Sequence, residues 1–377
     1  MTEEDYERVS VLKFDDLIPG YTGSPLFREA KKHESEGTAY THVIMKSKEG
    51  HCPFLVDKLC SIHGKHGSDV KPIICQLFPY CFNETPTGIF VTVSFRSSAV
   101  LYNQGTPLRE QMDVLEDRLA KYKELYRGKT PNWDAIRLSV NQNLQWSDYI
   151  EWEKEVFKLL ADKSRSLEDR MLACSDYLVS KSASAGTAEA GSSQSTASAS
   201  GDPGRLKKLD RYLLSSLHAL YFPAADTVSR AAMSFSVMRF VNKMIFGSAK
   251  VKTATRTFTL EELHDFPWPE DEEISDLLYR FFYSRLFGKW YFGGGYWQLS
   301  LITGFHHLII CLAVLKLQAK ASAIGRGASS VQFIDVAHSV RKLEEQMSEV
   351  ELGAYACGLF ELLMFSPKRL RRILAAV

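Results

Sequence analysis

Apolar positions follow two different periods along this chain. Before residue 106 they form two short runs of β character, Tyr40–Met45 (YTHVIM) and Gly88–Phe95 (GIFVTVSF), the second alternating cleanly. These predict two strands paired antiparallel, with a loop-rich segment between them. From residue 106 the period becomes helical. Thr106-Pro107 supplies a cap and a first-turn proline, and Leu108, Met112, Leu115 and Leu119 follow at helical spacing. Helices are predicted over Trp146–Leu160 and Leu167–Leu178, the second opened by the capping box Ser166-Leu-Glu-Asp169. Later helices are predicted over Leu206–Leu220, Val228–Phe246, Ile274–Phe287, Tyr296–Leu317, Val331–Met347 and Leu352–Phe365. Thr259-Leu-Glu-Glu262 is another capping box, and Pro267 and Pro269 break the chain before the acidic helix start Glu270–Glu273. The expected fold is α+β but mostly α: a small head with a short antiparallel β pair, followed by a larger α-helical body.

One tract lacks either period. Ser182–Gly204 is built from Ser, Ala, Gly and Thr with almost no charge, so it cannot bury enough surface to offset its ordering entropy. A flexible linker is expected there, separating two domains or interrupting one. The expected division is 1–105 for the head, 106–181 for a helical region, 182–204 for the linker and 205–377 for an α-helical domain.

Composition narrows the function classes. The 377 residues include 46 basic and 45 acidic side chains, a net charge of +1. That balance gives no support for a nucleic-acid or anionic-membrane partner. The polar start MTEEDYERVS has no basic, then apolar, signal pattern. The apolar stretch Leu299–Leu317 carries Thr303, Gly304, His306, His307 and Lys316, and reads as a core helix rather than a membrane span. The expected location is therefore cytoplasmic, where disulfides are disfavoured and the seven cysteines become candidate metal ligands.

Four of those cysteines fall in His51–Phe82, HCPFLVDKLCSIHGKHGSDVKPIICQLFPYCF. Thiolates at Cys52, Cys60 and Cys75 can converge on one metal if the loops between them fold back. Their spacing alone is a weak signal, because cysteine is also a common packing residue.

The surrounding residues add a specific pattern. Gly50-His-Cys52-Pro-Phe-Leu55, Leu59-Cys60-Ser-Ile-His63 and Lys71-Pro-Ile-Ile-Cys75-Gln-Leu-Phe-Pro79 closely resemble the YkgJ-type cysteine-cluster family. That family is described as zinc- or iron-chelating, with flagellin lysine N-methylases among its relatives. The resemblance covers Thr41–Val100, about a sixth of the chain. It implies zinc or an iron–sulfur cluster on Cys52, Cys60 and Cys75. Two departures accompany it. Family members carry a dense cysteine group ahead of the segment that begins here as Glu3–Val9, and relatives like this chain carry a cysteine where Ser97 stands. Either the start has been placed too late or the group has been lost, and the site as read is one thiolate short of four. Cys81, His63 or His66 are candidates for the remaining ligand, and Ser97 is expected beside the three cysteines.

Other candidates read as structure. His306-His307 point about 100° apart on a helix and cannot easily share a metal. Gly293-Gly-Gly295 reads as a helix-terminating turn with aromatic flanks. Cys174, Cys311 and Cys357 read as packing residues, and Lys368–Arg372 as a solvated basic face. Three functions are expected from these features. The first is a metal-binding cysteine-cluster protein. The second, from the resemblance alone, is a lysine N-methyltransferase using S-adenosylmethionine on a flagellin-like protein substrate. The third is a cluster-free structural or interaction protein.

Overall fold

A computed structural model describes residues 1–47, 50–127, 131–133, 136–186, 206–224, 249–349 and 354–377. The predicted helix Val228–Phe246 lies outside the described residues, as does the linker from 187 onward. The chain forms two compact units, residues 1–84, 91–94 and 105–131 in the first and residues 85–90, 95–104 and 132–377 in the second. Together they give the α+β, mostly α architecture, with short strand pairs among many helices.

The first unit begins with helix α1 (Glu3–Ser10), and Asp5 N–H donates to the capping hydroxyl of Thr2 at 3.2 Å. Short helix α2 (Phe14–Leu17), strand β1 (Phe27–Glu29), helix α3 (Lys32–Ser35) and strand β2 (His42–Ile44) follow. β1 and β2 pair antiparallel with Phe27 opposite Ile44. Strands β3 (Leu55–Val56) and β4 (Leu59–Cys60) form a small hairpin. Its two turn residues, Asp57 and Lys58, have φ of 49° and 66°, the left-handed pair that suits the twist of a two-residue hairpin loop. Helices α4 (Ser61–His66) and α5 (Ile73–Leu77) complete the cysteine segment, and helix Met112–Leu125 packs on α5. Met1, Val9, Leu17, Phe54 and Ile62 are buried at the centre, with Phe14, Phe27, Ile44 and Cys60 packed against them.

The two predicted strands exist but do not pair with each other. β2 pairs with β1, and strand β6 (Gly88–Val93) pairs with strand β5 (Tyr80–Thr85). Each finds a partner nearer in sequence, where less chain has to be ordered to close the pair.

The second unit is organised around helix Leu301–Gly325, which has no polar face and is buried along most of its length. Such a helix must be surrounded. Helices Leu167–Gly186, Lys208–Tyr221, Phe333–Glu349, Ala354–Met364 and Pro367–Ala375 all pack on it. Among the described residues it is the one helix long and apolar enough to cross a membrane, and 78% of its apolar window is buried in this unit. Its start is fixed by Ser300, whose hydroxyl accepts from Thr303 N–H at 3.3 Å. It starts five residues later than the apolar pattern predicts, because Trp297 and Gln298 adopt φ of 52° and 53° and end the preceding turn. Leu167–Gly186 likewise runs further than predicted, into the Ser/Ala/Gly tract. The described start of that tract, residues 182–186, therefore belongs to this helix of the second unit.

Candidate metal centre

Three different local structures carry Cys52, Cys60 and Cys75. Cys52 precedes the β3–β4 hairpin, and its carbonyl accepts from Leu55 N–H at 3.0 Å. Cys60 ends β4 opposite Leu55 and leads into α4. Cys75 lies in α5, where its N–H donates to the Pro72 carbonyl at 2.8 Å. Burial pushes the Cys75 thiol up to about 11, and negative charge at Cys52 and at Cys60 pushes in the same direction. The Cys52 thiol is also raised, by desolvation first and by Cys60, against a main-chain hydrogen bond from Phe54. Charge at Cys52 and at Cys60 thus reaches Cys75, and charge at Cys60 reaches Cys52.

Proximity stops short of coordination. Among the described residues, no group of three or more His, Cys, Asp or Glu side chains is placed to hold a metal ion. Soft thiolates suit zinc or an iron–sulfur cluster, so the donor chemistry fits while the positions stay wider than ligation requires. Cys60 also packs against the apolar centre of the first unit. None of the seven cysteines is in a disulfide; Cys52 is exposed and Cys60, Cys75 and Cys81 are half-buried.

The other proposed ligands lie in less suggestive surroundings. Cys81 sits on β5 and donates to the Pro79 carbonyl at 3.8 Å. His63 and His66 are exposed on α4. Ser97 falls in the second unit, at the N-cap position of helix Ser98–Leu101 but with no side-chain capping hydrogen bond.

Sequence reasoning missed Asp5. This carboxylate is fully buried and accepts the Ile73 N–H on both oxygens, at 3.0 and 3.1 Å, two residues before Cys75. A signal was available, since Thr2-Glu-Glu-Asp5 is a capping box just before the apolar Val9.

In the second unit the histidine pair behaves as core. His306 Nδ1 donates to the Met364 carbonyl at 2.6 Å, and Nε2 lies 2.7 Å from the Ser175 hydroxyl. His307 Nε2 lies 2.7 Å from the Tyr221 hydroxyl. Burial lowers His306 to about 4 and His307 to about 3, so both rings are neutral near pH 7. Gly293–Gly295 is a short 3₁₀ turn between two helices, and a β-carbon on Gly293 would meet the Trp133 ring at 3.0 Å. Helix Glu272–Phe287 leads into it, and the Trp133 indole lies against Gly293. Cys174 donates to the Val156 carbonyl at 3.4 Å, Cys311 lies 3.5 Å from His307 Nε2, and Cys357 donates to the Trp297 carbonyl at 3.5 Å.

In comparisons with family models, with curated proteins and with solved structures, none matches this chain.

Proposed function

We propose that the first unit is a metal-binding cysteine centre, with Cys52, Cys60 and Cys75 as thiolate ligands for zinc or an iron–sulfur cluster. The observation that supports this reading is that charge at Cys52 and at Cys60 acts on the Cys75 thiol, which sequence separates from Cys52 by 23 residues (75 − 52). Ligation at a Zn–S distance of about 2.3 Å requires the sulfurs to draw together to roughly 4 Å. The β3–β4 hairpin is a short element able to make that adjustment. Cys81, His63 or solvent completes the coordination. When bound, zinc would cross-link the three segments, and a cluster would add one-electron chemistry. Free thiols fit a reducing compartment, so the proposed location is the cytoplasm.

Anaerobic purification followed by metal and sulfide analysis tests this reading. A brown protein with iron and labile sulfide indicates a cluster, and a colourless protein with zinc indicates a structural site. Absence of both after reconstitution contradicts the proposal. Cys81→Ser and His63→Ala then identify the fourth donor by which of them weakens binding.

A further inference from the structure

The turn that delivers Cys75 is held by two side chains of α1. Asp5 is buried, and each carboxylate oxygen accepts the Ile73 N–H, at 3.1 and 3.0 Å. Arg8 donates to the same carboxylate at 2.5 Å. It also donates to the carbonyls of Val70 at 3.3 Å and Lys71 at 3.2 Å. Acid and base thus grip opposite polarities of one stretch of main chain, residues 70–73. From the far side, Gln76 donates to the Lys71 carbonyl at 2.7 Å and accepts from Lys121 at 2.9 Å.

α5 cannot hold this geometry alone. It has five residues, and Pro72 before it has no side-chain cap to offer. A helix that short is far below the length at which helical hydrogen bonds stabilise themselves. Its first free N–H groups need an outside acceptor, and a buried carboxylate is a strong one. Arg8 keeps that carboxylate from being a buried unpaired charge.

We propose that Asp5, braced by Arg8, is the positioning residue of the cysteine centre, fixing the direction in which α5 presents Cys75 to Cys52 and Cys60. This rests on the metal reading given above. It also goes beyond that reading, because it assigns a role to residues that are not ligands. Groups that orient metal ligands without touching the metal typically contribute about 10–100-fold to affinity.

Cobalt(II) titration of the full chain tests the assignment, since cobalt bound to thiolate gives a charge-transfer absorption that grows with the number of bound sulfurs. Asp5→Asn is nearly isosteric but puts an amide against Arg8 and Ile73 N–H. It should bind cobalt about 10–100-fold more weakly than the parent, with the charge-transfer band reduced by the loss of one of three thiolates. Arg8→Met provides a second variant, at a partly exposed position, and should shift both quantities the same way. A metal-free readout runs alongside. Cys75 should be alkylated faster in both variants, while Cys81 on β5 of the same unit keeps the parent's rate and reports that this unit stays folded. If the parent binds no cobalt, the metal reading fails, and with it any role for Asp5 in serving it. If parent and variants bind with the same affinity and spectrum and Cys75 reacts at the same rate, the positioning role alone is overturned.

Discussion

The carbonyl group of Tyr291 lies against the α-carbon of Gly304, so close that a β-carbon at residue 304 would sit far inside van der Waals contact with its oxygen. Phe292 Cβ would be only 3.1 Å away. Glycine is therefore required in the first turns of the central helix because another backbone lies on it, not because of its own φ. Gly304→Ala should destabilise the second unit by about 1–3 kcal/mol or more, since a main-chain atom cannot rotate aside. Denaturant unfolding monitored by tryptophan fluorescence measures this. An unchanged midpoint would mean that the 291–292 turn can move off the helix freely.

Lys289 should be a costly charge to remove. Its ammonium is fully buried, 2.7 Å from Glu153, and lies 3.8 Å from the centre of the Phe90 ring with Tyr149, Phe157 and Phe287 around it. Burial lowers its pKa while Glu153 opposes that shift. Lys289→Met strands a mostly buried carboxylate and should cost about 3–5 kcal/mol. Adding Glu153→Gln should recover much of that loss, because the unpaired charge disappears. A double mutant no more stable than Lys289→Met would refute the stranded-charge explanation.

Acid should unfold the second unit partly through its histidines. Folded pKa values of about 4 for His306 and about 3 for His307 lie below the ordinary value of 6.5. The unfolded chain therefore binds more protons as pH falls below 6.5. Their contribution is fully present above that pH and is lost as pH falls toward the folded values. The slope is up to about 1.4 kcal/mol per pH unit for each ring. His306→Gln should flatten the stability–pH curve between pH 6 and about 4 by roughly one proton. Equal slopes in parent and variant would place the acid sensitivity elsewhere.

Sequence pattern revealed the helices best where apolar periodicity was long. Ile274–Phe287 and Val331–Met347 were each read within a few residues of helices Glu272–Phe287 and Phe333–Glu349. Short elements were lost for identifiable reasons. The β3–β4 hairpin turns on Asp57-Lys58, and lysine does not announce a left-handed turn as Asn-Gly would. β1 has only three residues, too few for alternation to register. At the candidate site, charge at Cys52 and at Cys60 acts on the Cys75 thiol, while among the described residues no three side chains are placed to hold a metal ion. Asp5 went unseen because its partner lies 68 residues away, a contact that local pattern cannot encode.

Metal content of the intact chain, set beside that of its cysteine variants, tests the central claim most directly. The parent, reconstituted anaerobically with zinc or with iron and sulfide and then freed of excess, should retain metal. Cys52→Ser, Cys60→Ser and Cys75→Ser should each lose most of it, while Cys174→Ser, a core thiol of the second unit, should retain it. Metal at background in the parent, or equal retention in all four variants, would contradict the account.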